Sequence, residues 1–171
     1  QRLREMSQEF EELAMHDPLS GLLNRRGMQA NLQNEFERNQ RYNSNITILM
    51  CDIDHFKVIN DRYGHDKGDD VIKQTAEILQ LAVRKQDSIS RWGGEEFIFL
   101  FPETKKENAI VSADNIRINI QNLEHRTAGR ITCSLGVTQY MQGDTLDSLF
   151  KRCDEALYIA KKNGRNRVES I

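Results

Sequence analysis

Ile46-Thr47-Ile48-Leu49-Met50-Cys51-Asp52-Ile53-Asp54 is the stretch on which the fold turns. Its first eight residues are mostly apolar and β-branched, without strict polar alternation, which describes a strand covered on both faces at the centre of an α/β sheet. It ends in the carboxylates Asp52 and Asp54, at the end of a strand where α/β sheets tend to place ligands. Upstream, Met28, Leu32 and Phe36 recur every fourth position and predict a helix over residues 24–43. Downstream, a short helical stretch and the turn Tyr63-Gly64-His65 lead into a helix over 67–83, with Ile72, Ala76, Leu79 and Val83 on one face. Residues 88–92 and 95–101 read as strands joined across Gly93-Gly94, a type I′ or II′ hairpin signal, with Trp92 packing on the hairpin and Pro102 closing it. Ala109, Ala113, Ile116 and Ile120 mark the next helix, 130–140 a strand, and Leu146, Leu149, Cys153, Leu157 and Ala160 the last helix. Beyond it lies a basic stretch over 161–167, in which Gly164 suits a helix end. The expected fold class is α/β: a mixed sheet flanked by helices.

The chain has 171 residues, the size of one ordinary domain and enough to bury a core without staples. With 24 Lys and Arg against 26 Asp and Glu, the formal charge of -2 argues against a protein that holds nucleic acid by blanket phosphate neutralisation. A local phosphate site is compatible with it. Cys51, Cys133 and Cys153 form no CxxC pair and leave one unpaired under any disulfide scheme, which fits a reducing compartment and buried, hydrophobe-like thiols. No apolar run approaches the roughly 18 to 20 residues of a membrane span, and no signal peptide is visible. In residues 1–16, Leu3, Met6, Phe10 and Leu13 follow an amphipathic heptad spacing, read either as a helix packed on its own domain or as a dimer stalk from an upstream module. Asp17-Pro18 ends that pattern. The opening inside a helical pattern, without Met, is expected of a domain cut from a longer chain.

Two features carry chemistry: the acids at the end of the central strand, and Gly93-Gly94-Glu95-Glu96-Phe97, which sets two acids on a tight turn before an apolar strand. Magnesium takes oxygen ligands and commonly bridges one or two protein carboxylates to substrate phosphates. Two such ions can clamp the attacking and leaving oxygens of an in-line phosphoryl displacement. Glycines beside the acids let the backbone approach a bulky nucleotide.

These residues resemble the GGDEF-domain diguanylate cyclases. Residues 93–97 are similar to the GGEEF form of the family signature, and Asp52 to Asp61 to its D-x-D-x-F-K-x-x-N-D segment. Gly64-His65-Asp66-Lys67-Gly68-Asp69 is similar to the G-H-x-x-G-D that follows. Residues 17–26 resemble the D-x-L-T-G-L-x-N-R-R motif with Ser20 in place of Thr, and 156–166 the closing motif. The resemblance runs from Asp17 onward, making 17–171 a GGDEF catalytic domain behind a helix over 1–16.

The resemblance implies a palm-like domain, similar to nucleotidyl cyclase catalytic domains, that condenses two GTP into cyclic di-GMP with release of pyrophosphate. By position, Asp52, the carbonyl of Ile53 and Glu95 hold two Mg2+ per site, with Mn2+ as a substitute, and Glu96 is a further carboxylate there. The proton of the attacking 3′-hydroxyl goes to Glu95 or to a metal-bound hydroxide. Asn60 and Asp69 read the guanine edge with help from His65. Lys57, Lys161 and Arg165, with backbone amides near His55 and Phe56, hold the triphosphate. Arg84-Lys85-Gln86-Asp87 has the R-x-x-D form, at the offset from Gly93 at which family members bind their own product; Arg84 and Asp87 are the inhibitory-site residues, and Arg117 is a candidate for a third. Implied partners are GTP, cyclic di-GMP, a second copy of the chain and an upstream sensor module, with no nucleic acid. The expected location is cytoplasmic, with membrane anchoring of the full-length chain left open. The rival readings are a non-catalytic module sensing GTP or cyclic di-GMP, and a cyclase of different base preference.

Overall fold

The computed structural model describes Phe10 and residues 14–171. Most of the amphipathic segment over 1–16 lies outside the described residues. Helix α1, Arg25–Tyr42, starts where Asn24 accepts a hydrogen bond from the Gly27 amide and ends at Asn43 in the left-handed region. Strand β1, Ile46–Ile53, follows, then α2, Phe56–Tyr63, and α3, His65–Leu81. The hairpin is β2, Ser88–Gly93, and β3, Glu96–Pro102, followed by α4, Lys106–Asn122. A small ladder of β4, Glu124–His125, and β5, Gly129–Arg130, precedes β6, Cys133–Gln139, α5, Leu146–Lys162, and β7, Val168–Ser170.

The main sheet has the order β2-β3-β1-β6-β7. Its centre, β1, runs antiparallel to β3 and β6, while β6 and β7 are parallel, so the sheet is mixed as expected. Because side chains alternate across a strand, β1 serves both faces. Leu49, Cys51 and Ile53 join Phe97, Phe99 and Phe101 under α2, α3 and α4. Ile46 and Ile48 join Ile98 and Leu100 under α1 and α5. Asp52 continues the second series, so its carboxylate falls on the α1/α5 face. The three cysteines are buried and free.

Three details depart from the sequence expectations. The hairpin turn is Gly94-Glu95, one residue later than Gly93-Gly94, and Gly93 pairs with Glu96. The register shifts between Arg91 and Gly93, making Trp92 the extra residue of a bulge, and of the two turn residues only Gly94 has positive φ, at 48°. Trp92 accordingly leaves the hairpin and stacks on Phe150 of α5 at 5.1 Å, with the Arg25 guanidinium 4.6 Å from its ring. The strand expected over 130–140 divides, since Thr132 turns out of the ladder to bond Asp54. Strand β7 was not foreseen: only Val168 is apolar, and its pairing with Leu135 depends on the fold.

The segment after Met15 is fastened to the hairpin. Asp17 accepts bonds from the Ser20 amide and hydroxyl, Leu22 is buried, and Leu23 pairs with the edge of β2 through Ile89 and Arg91. Arg91 spans the join: it meets Asp17 at 3.3 Å and donates through Nε to the Gly94 carbonyl at 2.8 Å.

Candidate active site

Asp52 is 7% exposed at the end of β1, in register with Glu96 of β3, while Glu95 occupies the adjoining turn. The fold thus brings Asp52 close to two acids that lie more than 40 positions further along the sequence. The Glu95 carbonyl is tied to the Ile53 amide at 3.3 Å. Burial pushes the Asp52 carboxyl up to about 6 from 3.8; Lys161 opposes the rise, and the charges of Glu95 and Glu96 add to it. Lys161, on the last turn of α5, places Nζ 3.0 Å from Asp52 Oδ2. A buried carboxylate crowded by two others is a poor resting place for negative charge and a good one for a cation.

The two acids at the end of β1 have different fates. Asp54 is also buried, but it accepts bonds from Thr132 Oγ1 at 2.7 Å, Ser134 Oγ at 2.7 Å and the Asn166 amide at 3.0 Å. Its lone pairs knit β1 to β6 and to the turn after α5. Only Asp52 remains on the open side. Among the described residues no three His, Cys, Asp or Glu side chains close on a common point. A cation here would complete its shell from backbone oxygen, water and substrate, which is how Mg2+ is commonly held, so the all-oxygen donor set fits that ion.

The chain leaves β1 through His55, a non-glycine residue at φ 56°, and enters α2 directly. That turn aims the start of α2 at the end of the sheet. The Phe56 and Lys57 amides have no intrahelical acceptor there and carry the positive end of the helix dipole, a natural anion cradle. The Phe56 side chain is buried, while His55 and Lys57 are exposed. Asn60 lies on α2 against Gly68 of α3, where any Cβ at residue 68 would collide with Asn60 Oδ1. That oxygen is buried and has no hydrogen-bond partner, so it is an acceptor awaiting a donor. Asp69 and His65 are exposed on α3 beside it. Asp69 lies past the first turn, so helix capping does not account for it. Arg165 follows α5 at φ 62°, exposed, with its guanidinium in no ion pair among the described residues.

Arg84 and Asp87 form a closed unit at the other end of β2. Arg84 grips both Asp87 oxygens, at 3.0 and 3.2 Å, and donates to Thr104 Oγ1 at 2.7 Å. The Asp87 side chain is 3% exposed and the Arg84 side chain 52%, so the pair presents a pre-set guanidinium to solvent. Arg117 is committed to Asp114, Gln121 and Asn166 and makes no bond to this pair.

Sequence reasoning quoted Gly68 only as part of a motif, without its role of leaving room for the Asn60 side chain, and did not single out Arg91, which steadies the turn bearing Glu95. It also missed a cleft of about 390 Å³ between α1 and α5, lined by Arg25, Trp92, Phe150 and Glu96 among others. Of the expected site residues the cleft includes only Glu96, so it is separate from the surface formed by Asn60 and Asp69.

Residues 14–167 match the family described as "Diguanylate cyclase, GGDEF domain". Diguanylate cyclase DgcM of Escherichia coli is 39% identical over 165 residues, covering 96% of this chain and 40% of that protein. The chain therefore spans about two-fifths of the length of that curated relative. The coiled coil and GGDEF domain of DgcB from Caulobacter crescentus, solved in complex with c-di-GMP, superposes with a TM-score of 0.94 at 31% identity, covering 99% of this chain and 92% of that one. The active GGEEF domain of a Vibrio cholerae diguanylate cyclase gives 0.83 at 36% identity, covering 87% and 97%. No helix among the described residues is long and apolar enough to cross a membrane.

Proposed function

The chain belongs to the GGDEF-domain diguanylate cyclases, and on that premise we propose that it condenses two GTP molecules into cyclic di-GMP and pyrophosphate. The observation that carries the reading is the meeting of buried Asp52 with Glu95 and Glu96 at one end of the sheet. Asp52, the Ile53 carbonyl and Glu95 hold two Mg2+, for which Mn2+ can substitute, and Glu96 adds a further carboxylate. Held there, such ions would supply neutralisation of charge on the reacting phosphate and its leaving group.

The remaining work falls to the chain. Asn60 Oδ1 accepts from a guanine N–H and Asp69 takes a second, with His65 at the same edge; this satisfies an acceptor otherwise buried unpaired. The amides of Phe56 and Lys57, adjoining His55, cradle phosphate oxygens, with Lys57, Lys161 and Arg165 supplying positive charge. Glu95 or a hydroxide held beside it takes the proton of the attacking 3′-hydroxyl, whose oxygen bonds to the α-phosphorus of the opposite GTP. The bond from that phosphorus to the β-phosphate oxygen breaks and pyrophosphate leaves. A second such step closes the ring. Each chain presents one such site, so two chains face each other, and positioning supplies much of the rate. In the full-length protein, an upstream sensor module governs this pairing in the cytoplasm. Cyclic di-GMP binds at Arg84 and Asp87 and restrains turnover.

The test is incubation with GTP and Mg2+, with chromatographic identification of the product across a range of protein concentrations. Cyclic di-GMP should form at a rate rising with the square of concentration where the chains are mostly unpaired. GTP binding without product at high protein concentration would replace the enzyme with a nucleotide-sensing module.

A further inference from the structure

Lys161 occupies an unexpected position for a residue assigned to phosphate. It extends from the last turn of α5 to the buried end of β1, and its Nζ lies 3.0 Å from Asp52 Oδ2. Its side chain is 33% exposed against 10% for Asp52, so the ammonium bridges the open surface and the closed carboxylate. No other cation among the described residues pairs with Asp52. Glu95 and Glu96 add negative charge around it, yet neither is ion-paired with a cation among the described residues. The chain thus places a cation of its own on the buried carboxylate of the proposed metal site.

We propose that Lys161 is a resident counter-ion for Asp52 that a divalent cation must displace, so that metal and triphosphate bind in mutual dependence. The inference rests on the metal-site reading given above. A divalent ion on Asp52 and an ammonium on the same oxygen would repel each other at close range, where the low dielectric of a buried site screens little. Free metal therefore binds against the Lys161 pair. A triphosphate arriving at the start of α2 offers the ammonium a second set of anionic oxygens, and the flexible four-carbon stem lets it move there. Asp52 is then open to metal, and the metal neutralises the nucleotide in return. Thermodynamic linkage makes the effect reciprocal: whatever triphosphate adds to metal affinity, metal adds to triphosphate affinity.

The experiment is calorimetric titration of the chain with Mn2+, with and without a GTP analogue that cannot react, at about pH 8.5, well above the value of about 6 to which burial pushes the Asp52 carboxyl. Without nucleotide, Lys161→Met should bind Mn2+ at least tenfold more tightly than wild type, while Lys162→Met, changed at the next residue, should match wild type. The analogue should raise Mn2+ affinity at least tenfold in wild type and by much less in Lys161→Met. Equal nucleotide-free affinities in Lys161→Met and wild type would overturn the counter-ion role and leave the metal site standing. Failure of wild type to bind Mn2+, with the analogue or without it, would overturn the metal-site reading and this inference with it. Circular dichroism checks the fold of each variant. If Lys161→Met does not fold, Lys161→Gln is titrated instead: it removes the charge and retains a donor for Asp52, and the same outcomes decide.

Discussion

Exchanging Asp52 for Asn is expected to remove a specific pH dependence from the stability of the metal-free protein. The folded chain holds the Asp52 carboxyl at about 6, against 3.8 for the free side chain, chiefly through burial. Between those values the native state keeps a proton that the unfolded chain has released. Asp52 thus adds stability that is full below the unfolded pKa and is lost as pH rises through the folded one. At about 1.4 kcal/mol per pH unit, the whole effect is about 3 kcal/mol, and about 2 kcal/mol of it falls between about pH 4.5 and about pH 7.5. Urea unfolding of wild type and Asp52→Asn across that window, in chelator, reads the difference directly because other titrating groups largely cancel. Wild type should lose about 2 kcal/mol relative to the variant as pH rises. Adding Mg2+ together with a GTP analogue that cannot react should, at the upper end, restore stability to wild type by mass action, and less to the variant. Parallel stability curves would refute the account of a carboxylate desolvated and crowded by Glu95 and Glu96.

Other consequences follow from contacts around this site. Gly68→Ala drives a methyl into Asn60 Oδ1; a thermal melt should register about 1 to 3 kcal/mol of overpacking, and steady-state kinetics should show KM for GTP raised several-fold. Arg91→Ala severs the links to Asp17 and to the Gly94 carbonyl, so it should cost about 1 to 3 kcal/mol and lower kcat more than it raises KM, as the turn bearing Glu95 loosens. Against the opposing effect of burial, the Ser20 bonds and then Arg91 hold the Asp17 carboxyl below its usual range, so their stabilisation is present near neutrality and fades as pH falls through that lowered value. Comparing melts of wild type and Asp17→Asn in acid should show the gap closing. Arg84→Ala removes the exposed guanidinium set by Asp87 and Thr104, and should raise the cyclic di-GMP concentration for half-inhibition at least tenfold.

Local pattern went far with this chain. The apolar run of β1, the four-residue spacing of α1 and the buried series Ala109, Ala113, Ile116 and Ile120 of α4 each satisfy one period, and the elements form where that period predicts. The Gly-Gly pair announced a hairpin, but its turn begins one residue later because the Trp92 bulge takes up a position on β2. That bulge depends on Phe150 and Arg25, from helices distant in sequence. Strand β7 is too short and polar to declare itself, and it exists because β6 offers an edge beneath α5.

The candidate site divides the same way. Sequence alone determined which side chains are present and in what order, and spacing sufficed for that because motif, strand end and tight turn are local properties of the chain. Only the tertiary structure decided what each side chain faces. Asp52 and Asp54 are equivalent as neighbours in sequence, yet Thr132, Ser134 and Asn166 saturate one while the other meets Glu95, Glu96 and Lys161. Asn60 becomes a buried, unpaired acceptor only because Gly68 of the next helix lets α2 and α3 approach. Desolvation and charge pairing depend on distances through space, and these are set when the sheet closes and its two helical layers pack against it.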